Sequence, residues 1–569
     1  MSAVILAFLG FIAFFLGYRF YSKWIAEKVY CLDPDFVTPA HRYRDGVDYV
    51  PTPKQVLWGH HFSSVAGAAP ILGPAIAVFW GWLPALLWVI LGTVFIAGVH
   101  DFGSIVIANR HRGQSMGSLA RNIIGPRAKT LFLLIILFLV IMVNAVFAWA
   151  IANLFINFPG SVLPIFVEIP LAAAIGYMVY RRKGGLFLPS IVGLAVLYGF
   201  VLVGYYVPVD VSGWTVAGLE INPFVFWILI LMAYGLIASV LPVWLLLQPR
   251  DYINSHQLFL GLFILYAGMF VINPDVVAPA VNSGVPADSP PWFPILFITV
   301  ACGAISGFHG LIGSGTTSKQ LDKETDARYI GYFGAVGEGA LALLSIIACV
   351  AAFSTLGEWQ AHYADFAKAG EGALPAFVKG AALFAGGLGI PKGIAEVFVA
   401  VIVISFAATS LDTSIRLMRY IISELGESYR FQVLTRKPIA AAVGTGVSLL
   451  LIFSQEDGRG GYLIWPLFGT TNQLVGGLTL LVLSIWLWRL SRNMVYTLIP
   501  MIFLLSMTSW AMLMNLKSYY LTEQYLLLFL GLLLLCFVIW LILEAIFIFR
   551  KGKGALRRSE SEISEFNRS

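Results

Sequence analysis

Fifteen apolar runs of roughly 20 residues each punctuate a chain of 569 residues, and that length is what a helix needs to cross a bilayer. Their residues do not alternate between apolar and polar, which excludes a membrane β-barrel. Only 12% of the residues are charged, against about 25% in a soluble domain. The fold class that follows is an all-α polytopic membrane protein. A net charge of +6 could suit a nucleic-acid partner, but the basic residues flank apolar runs and read as topology signals. The bilayer is the partner, and no nucleic acid is expected. Cys31, Cys302, Cys349 and Cys536 are scattered without CxxC spacing, which argues against a disulfide framework or a zinc knuckle. Nothing indicates a cofactor.

The first run, Val4–Tyr18, has no charge before it and Arg19, Lys23 and Lys28 after it. A cleaved signal peptide has the opposite polarity, so this is a retained span with its N-terminus outside. The other spans are predicted at 60–80, 83–107, 130–156, 162–180, 187–207, 222–247, 257–273, 292–312, 330–352, 394–411, 438–454, 461–488, 497–516 and 523–549. Alternate connections carry Arg110 to Lys129, then Arg181 to Lys183, Arg250, Lys319 to Arg328, Arg416 to Lys437, and Arg489 with Arg492. Loops 157–161, 208–221 and 274–291 have no Lys or Arg. Such asymmetry marks the cytoplasmic side. The 353–393 loop breaks the pattern and has room for a surface or re-entrant helix over Glu371–Leu388. The tail Arg550–Ser569 is basic, then polar; it is expected to be disordered and inside.

Two spans are interrupted. His60–Pro74 reads HHFSSVAGAAPILGP, and Gly303–Ser318 reads GAISGFHGLIGSGTTS. Pro70 and Pro74 lack the donor a helix interior needs, and the glycines permit a break. Unwound backbone at membrane depth survives only where protein or a cavity satisfies it. Paired interruptions of this kind point to a transporter's binding site. The competing reading is a pair of packing kinks. The charges make the two segments cross in opposite senses, as inverted repeats require. The division that fits is an N-terminal span and cytoplasmic segment (1–58), a first repeat unit (59–207), two inserted spans (208–291), a second unit (292–490), two appended spans (491–549) and the tail (550–569). A repeat of seven spans fits as well as one of five.

Several side chains could carry chemistry. Freed carbonyls suit a cation, and a half-helix N-terminus suits an anion. Gly67, Ala68 and Ala69 at the first break, and Gly307, Phe308 and His309 at the second, are therefore substrate-site candidates. So are Thr471 and Asn472 of the stretch WPLFGTTNQ, whose four consecutive polar residues must line a cavity or bond across helices. Ser64, Thr409, Ser410 and Glu338 are candidates for binding or coupling a cation. Glu338 is the best-placed proton-carrying carboxylate. Asp412 and Arg416 are four apart and are expected to pair. A metal site assembled from His60, His61, His100 and Asp101 is the weaker reading, because neighbouring His side chains diverge on a helix. Hydrogen bonding at the cytoplasmic face is the alternative. Replacing Gly67 or Gly307 by Leu is expected to abolish uptake and leave expression intact.

Five stretches, GHHFSSVAGAAPILGP (59–74), HDFGSIVIANRHRGQS (100–115), ACGAISGFHGLIGSGTTSKQL (301–321), SFAATSLDTSIRLMRY (405–420) and WPLFGTTNQL (465–474), together resemble the carbon-starvation protein A family. The resemblance implies a member of the amino acid–polyamine–organocation superfamily with a LeuT-type core of two inverted five-span units. It also implies nutrient uptake across a bacterial inner membrane, with a peptide or pyruvate as the small-molecule substrate and protons as the driving ion. In LeuT-type carriers the span matching 394–411 lends hydroxyls to a sodium site, so sodium-coupled symport stays open beside proton coupling. The phosphate loop GxxxxGK[ST], HExxH and GxSxG are all absent, which disfavours a pump or an enzyme. A sensor would need a soluble signalling domain, and no polar stretch is long enough for one.

Overall fold

The computed structural model describes residues 2–46, 48–182, 184–216, 218–454 and 460–551. The tail beyond residue 551, for which disorder is expected, lies outside them. Twelve of the described helices are long and apolar enough to cross a bilayer. They are α1 (Ala3–Tyr30), α4 (Trp82–Arg110), α5 (Pro126–Asn157), α6 (Pro159–Arg181), α7 (Phe187–Tyr206), α8 (Pro223–Val240), α9 (Leu247–Ile272), α12 (Glu324–Ala351), α14 (Lys392–Ser428), α16 (Trp465–Arg489), α17 (Val495–Leu521) and α18 (Tyr525–Ile548). The bent pair α2 (Lys54–Val65) and α3 (Ala69–Trp80) makes one more span, with a 52° change of direction. The short helices α10 (Trp292–Thr299) and α11 (Gly307–Ile312) lie over the predicted span 292–312. The 16-residue α15 (Lys437–Ile452) is apolar but shorter, so twelve or thirteen crossing helices among the described residues stand against the fifteen expected.

Helix ends follow local chemistry. Pro126, Pro159 and Pro223 open their helices, where the missing N–H costs nothing. Asn222 caps α8 by accepting from the Phe224 and Val225 amides. Helices α5, α12, α14 and α16 form the centre, and α16 is wholly buried. Helices α1 and α18 lie at the periphery with most of their apolar surface outward, where lipid covers it.

Three expectations are corrected. First, α14 runs 37 residues, far past the predicted end at 411. Arg416 and Arg419, read as connection charges, are buried on it. The helix continues because Arg416 finds two carbonyls, those of Ala238 and Leu241, at 2.8 and 2.9 Å. Second, Arg416 therefore does not pair with Asp412, which bonds Arg250 instead. Third, the helix in the 353–393 loop, α13 (Ala373–Gly386), is no surface element. Gly380 and Gly268 lie against the carbonyls of Ala348 and Phe384, at 2.4 and 1.9 Å from where a Cβ would stand. Such close approach holds a helix inside the bundle.

The two broken segments run past each other in opposite directions. A Cβ on Gly303 would stand 3.5 Å from Pro70, and one on Gly73 would stand 2.5 Å from the Thr299 carbonyl. As the number rises along α3, the facing number falls.

Candidate functional site

The first break leaves α2 at Val65 and re-enters helix at Ala69. Gly67 is there because nothing larger fits at rest: its Cβ would stand 2.7 Å from the Ser410 hydroxyl and 2.9 Å from the Phe147 ring. Ser410 is buried and its hydroxyl has no partner. Its neighbour Thr409 accepts from Asn254 at 2.8 Å. Ser64, the last serine of α2, borders a cavity of about 300 Å³. His60, Ser314, Gly315, Lys319, Thr413 and Arg416 also line that cavity. It opens at the end of the molecule that carries the basic connections.

Behind the break lies an ionic triad. Arg250 on α9 reaches Glu168 on α6 at 3.2 Å and Asp412 on α14 at 2.6 Å. The Tyr234 hydroxyl donates to Asp412 at 2.8 Å, and the Ser405 hydroxyl reaches Glu168 at 3.4 Å. All three ionic groups are buried. One cation faces two carboxylates, which leaves a charge of −1 inside the bundle. The second oxygen of Asp412, Oδ1, has no partner. Buried charges inside a membrane are rare and mark function. The next residue of α9, Asp251, lies 3.4 Å from His60, at the cavity wall.

The second break is knotted shut. Asn472 on α16 donates to the Ala301 carbonyl at 2.7 Å and accepts from the Phe308 amide at 3.0 Å. Gln473 donates to the carbonyls of Phe297 and Val300. Thr93, inside a π-turn of α4 (Thr93–Ala97), donates to the Gly303 carbonyl at 2.9 Å. Gly303 has φ of +88°, a conformation that glycine alone adopts cheaply. Four carbonyls and one amide around the break are thus satisfied by side chains. Thr471 bonds its own helix at Leu467. The polar run 470–473 therefore bonds within and across helices.

The second break also gathers titratable groups. The Nδ1 of His309 lies 2.8 Å from Asp101, and its Nε2 lies 3.2 Å from Glu338. The Nδ1 of His100 lies 2.7 Å from the other Asp101 oxygen. All four are buried, and Asp101 hydrogen-bonds both His100 and His309, as the hydrogen-bonding alternative expected. The four metal candidates do not converge: His60 faces Asp251, His61 faces Thr317 at 2.9 Å, and only His100 and Asp101 meet. Of the coupling candidates, Ser64, Thr409 and Ser410 gather at the first break, while Glu338 stands at the second.

The profile of the family described as Carbon starvation protein CstA matches residues 2–358 and 353–511. The chain belongs to that family. It is 31% identical to a Campylobacter jejuni relative named Peptide transporter CstA, over 91% of this chain and 81% of the relative. It is likewise 31% identical to an Escherichia coli relative named Pyruvate/proton symporter BtsT, over 90% of this chain and 82% of the relative. Among solved structures, MhsT in complex with L-phenylalanine aligns over 80% of this chain and 99% of its own, at 14% identity and a TM-score of 0.43. Membership of the family and the many apolar helices make this a multi-pass bacterial membrane protein.

Sequence reading missed three residues. Arg250 reads in the sequence as a connection charge, Glu168 carries no motif, and Cys302 has no neighbouring ligand spacing. A signal existed for the first two: a single charge within an apolar run is costly unless paired and is a site by default.

Proposed function

We propose that this chain is a secondary active transporter that takes up a small carboxylate-bearing nutrient, a peptide or pyruvate, with protons across the cytoplasmic membrane. The carrying observation is the cavity of about 300 Å³ that reaches the first helix break, with the Arg250–Glu168–Asp412 triad behind it. The volume lies at the small end of ligand sites. Arg416 and Lys319 on its wall suit a carboxylate; Asp251 suits an amine. Both named relatives' substrates carry the first group, and peptides carry both. The basic connections around its mouth favour a cytoplasmic opening, with the N-terminus outside and the C-terminus inside. The units 59–207 and 292–490 are the two inverted halves, and their breaks cross where alternating access would hinge.

Asp412 takes the coupling proton. It has a partnerless oxygen, and its neighbour Thr413 lines the cavity. Protonation brings the triad to neutrality, while Arg250 keeps Glu168 as its partner. Tyr234, Asp251 and His60 are the other titratable groups nearby. Asp412→Asn mimics the protonated state and leaves a balanced Arg250–Glu168 pair, so the variant folds. In proteoliposomes an inward proton gradient should drive accumulation of pyruvate or a dipeptide, and a protonophore should abolish it. D412N should lose accumulation but retain counterflow exchange. Full accumulation by D412N removes the proton role from this triad. Accumulation that needs sodium in place of a proton gradient shifts coupling to the hydroxyls of Ser64, Thr409 and Ser410.

A further inference from the structure

At the second break, Cys302, His309 and Glu338 each offer one ligand atom, and these atoms lie within 4.8 Å of one another. The three come from different places: the unwound stretch after α10, the helix α11, and α12. All are buried. Nitrogen, thiolate and carboxylate ligands of a tetrahedral zinc ion, at bond lengths of 2.0–2.3 Å, stand about 3.5 Å apart. The observed spacing reaches that with small side-chain rotations.

The protonation pattern supplies the second observation. Asp101 accepts from the Nδ1 of His309 at 2.8 Å. In the neutral tautomer that this bond favours, the lone pair is on Nε2. That nitrogen lies 3.2 Å from a carboxylate oxygen of Glu338, and the two make no well-directed hydrogen bond. Two buried acceptors that face one another are unfavourable unless something positive lies between them. A carboxylate that orients the far nitrogen of a histidine is the usual outer shell of a zinc ligand. His100, on the other oxygen of Asp101 at 2.7 Å, steadies that carboxylate in turn.

We propose that Cys302, His309 and Glu338 bind one divalent transition metal ion of the zinc class, with Asp101 as the carboxylate behind His309. A thiolate beside an imidazole selects zinc over magnesium or calcium. The ion replaces the thiol proton of Cys302, which leaves to solvent as the site fills during folding. It pins the unwound stretch to α11 and α12, and so keeps the second break shut while the first exchanges substrate. The site is separate from the Asp412 triad, and its test reads metal content and not transport.

The full-length chain is expressed in zinc-supplemented medium, purified without chelators and assayed for metal by mass spectrometry. Close to one zinc per chain is expected for a three-ligand site, with roughly tenfold less in Cys302→Ser and Glu338→Gln. Expression with cobalt should produce a thiolate-to-cobalt charge-transfer band in the near ultraviolet. C302S should lose that band even if it folds as well as the parent. A parent protein free of zinc and without the cobalt band overturns the proposal, and His309 and Glu338 then share a proton. A band that survives in C302S overturns it as well.

Discussion

The two helix breaks cross at the centre of the molecule, yet they have opposite fillings. The second is closed by Asn472, Gln473 and Thr93, which satisfy four of its carbonyls and one amide. The first faces a partnerless Ser410 hydroxyl and the edge of a cavity. Broken helix at membrane depth has two solutions, protein or a wet cavity, and this chain uses one of each. Two similar interruptions in sequence therefore need not be two halves of one binding pocket. One is closed by side chains, and the other borders a cavity.

The largest expected effect tests the closed break. Asn472→Leu removes the partners of the Ala301 carbonyl and the Phe308 amide, each costing about 1–3 kcal/mol when buried unsatisfied. The variant should fail to yield monodisperse protein on size exclusion. A melting temperature equal to the parent's would mean that the knot carries no weight. A smaller effect separates the two glycines. Gly307→Ala places a Cβ 2.2 Å from the Asn472 carbonyl and 2.5 Å from the Gly476 amide. Backbone cannot step aside, so a loss of about 1–3 kcal/mol is expected. At Gly67 the obstacles are the Ser410 hydroxyl and the tip of Phe147, which can rotate. Gly67→Ala should melt within about 1 kcal/mol of the parent and lose most uptake. Equal melting of the two variants would erase the distinction. Gly307→Leu would then express well, as sequence alone suggests, whereas the close α16 backbone says it will not.

The smallest effect sharpens the open side. Ser410→Ala deletes a hydroxyl that bonds nothing, so stability should stay within about 0.5 kcal/mol. If that hydroxyl meets substrate or ion, half-saturation should rise about fivefold, the worth of one hydrogen bond near 1 kcal/mol. An unchanged transport curve would assign Ser410 to packing around Gly67 alone.

Much of the design was legible before any coordinates. The runs, their alternating charges and the Pro and Gly clusters located the spans and both interruptions. The opposite sense of the broken segments followed from the same charges. The site was legible only in part. His309 and Glu338 stood out, but nothing local links them across 29 positions to each other or to Cys302. Arg250 looked like a cytoplasmic anchor because charge bias counts residues and cannot see partners. Its partners Glu168 and Asp412 lie 82 and 162 positions away. Asp412 and Arg416 matched a helical pairing rule, and stronger long-range partners overrode it.

Hydrophobic length and charge placement acted through the bilayer, a solvent that every segment meets separately. They located the helices from the linear order alone. Which break stays open, which carboxylate is left with a spare oxygen, and which thiol stands beside an imidazole depend on how helices far apart in sequence are stacked. Pairing of buried polar groups is a property of that stacking, because each group's energy is set by the atom opposite it and not by its neighbours along the chain.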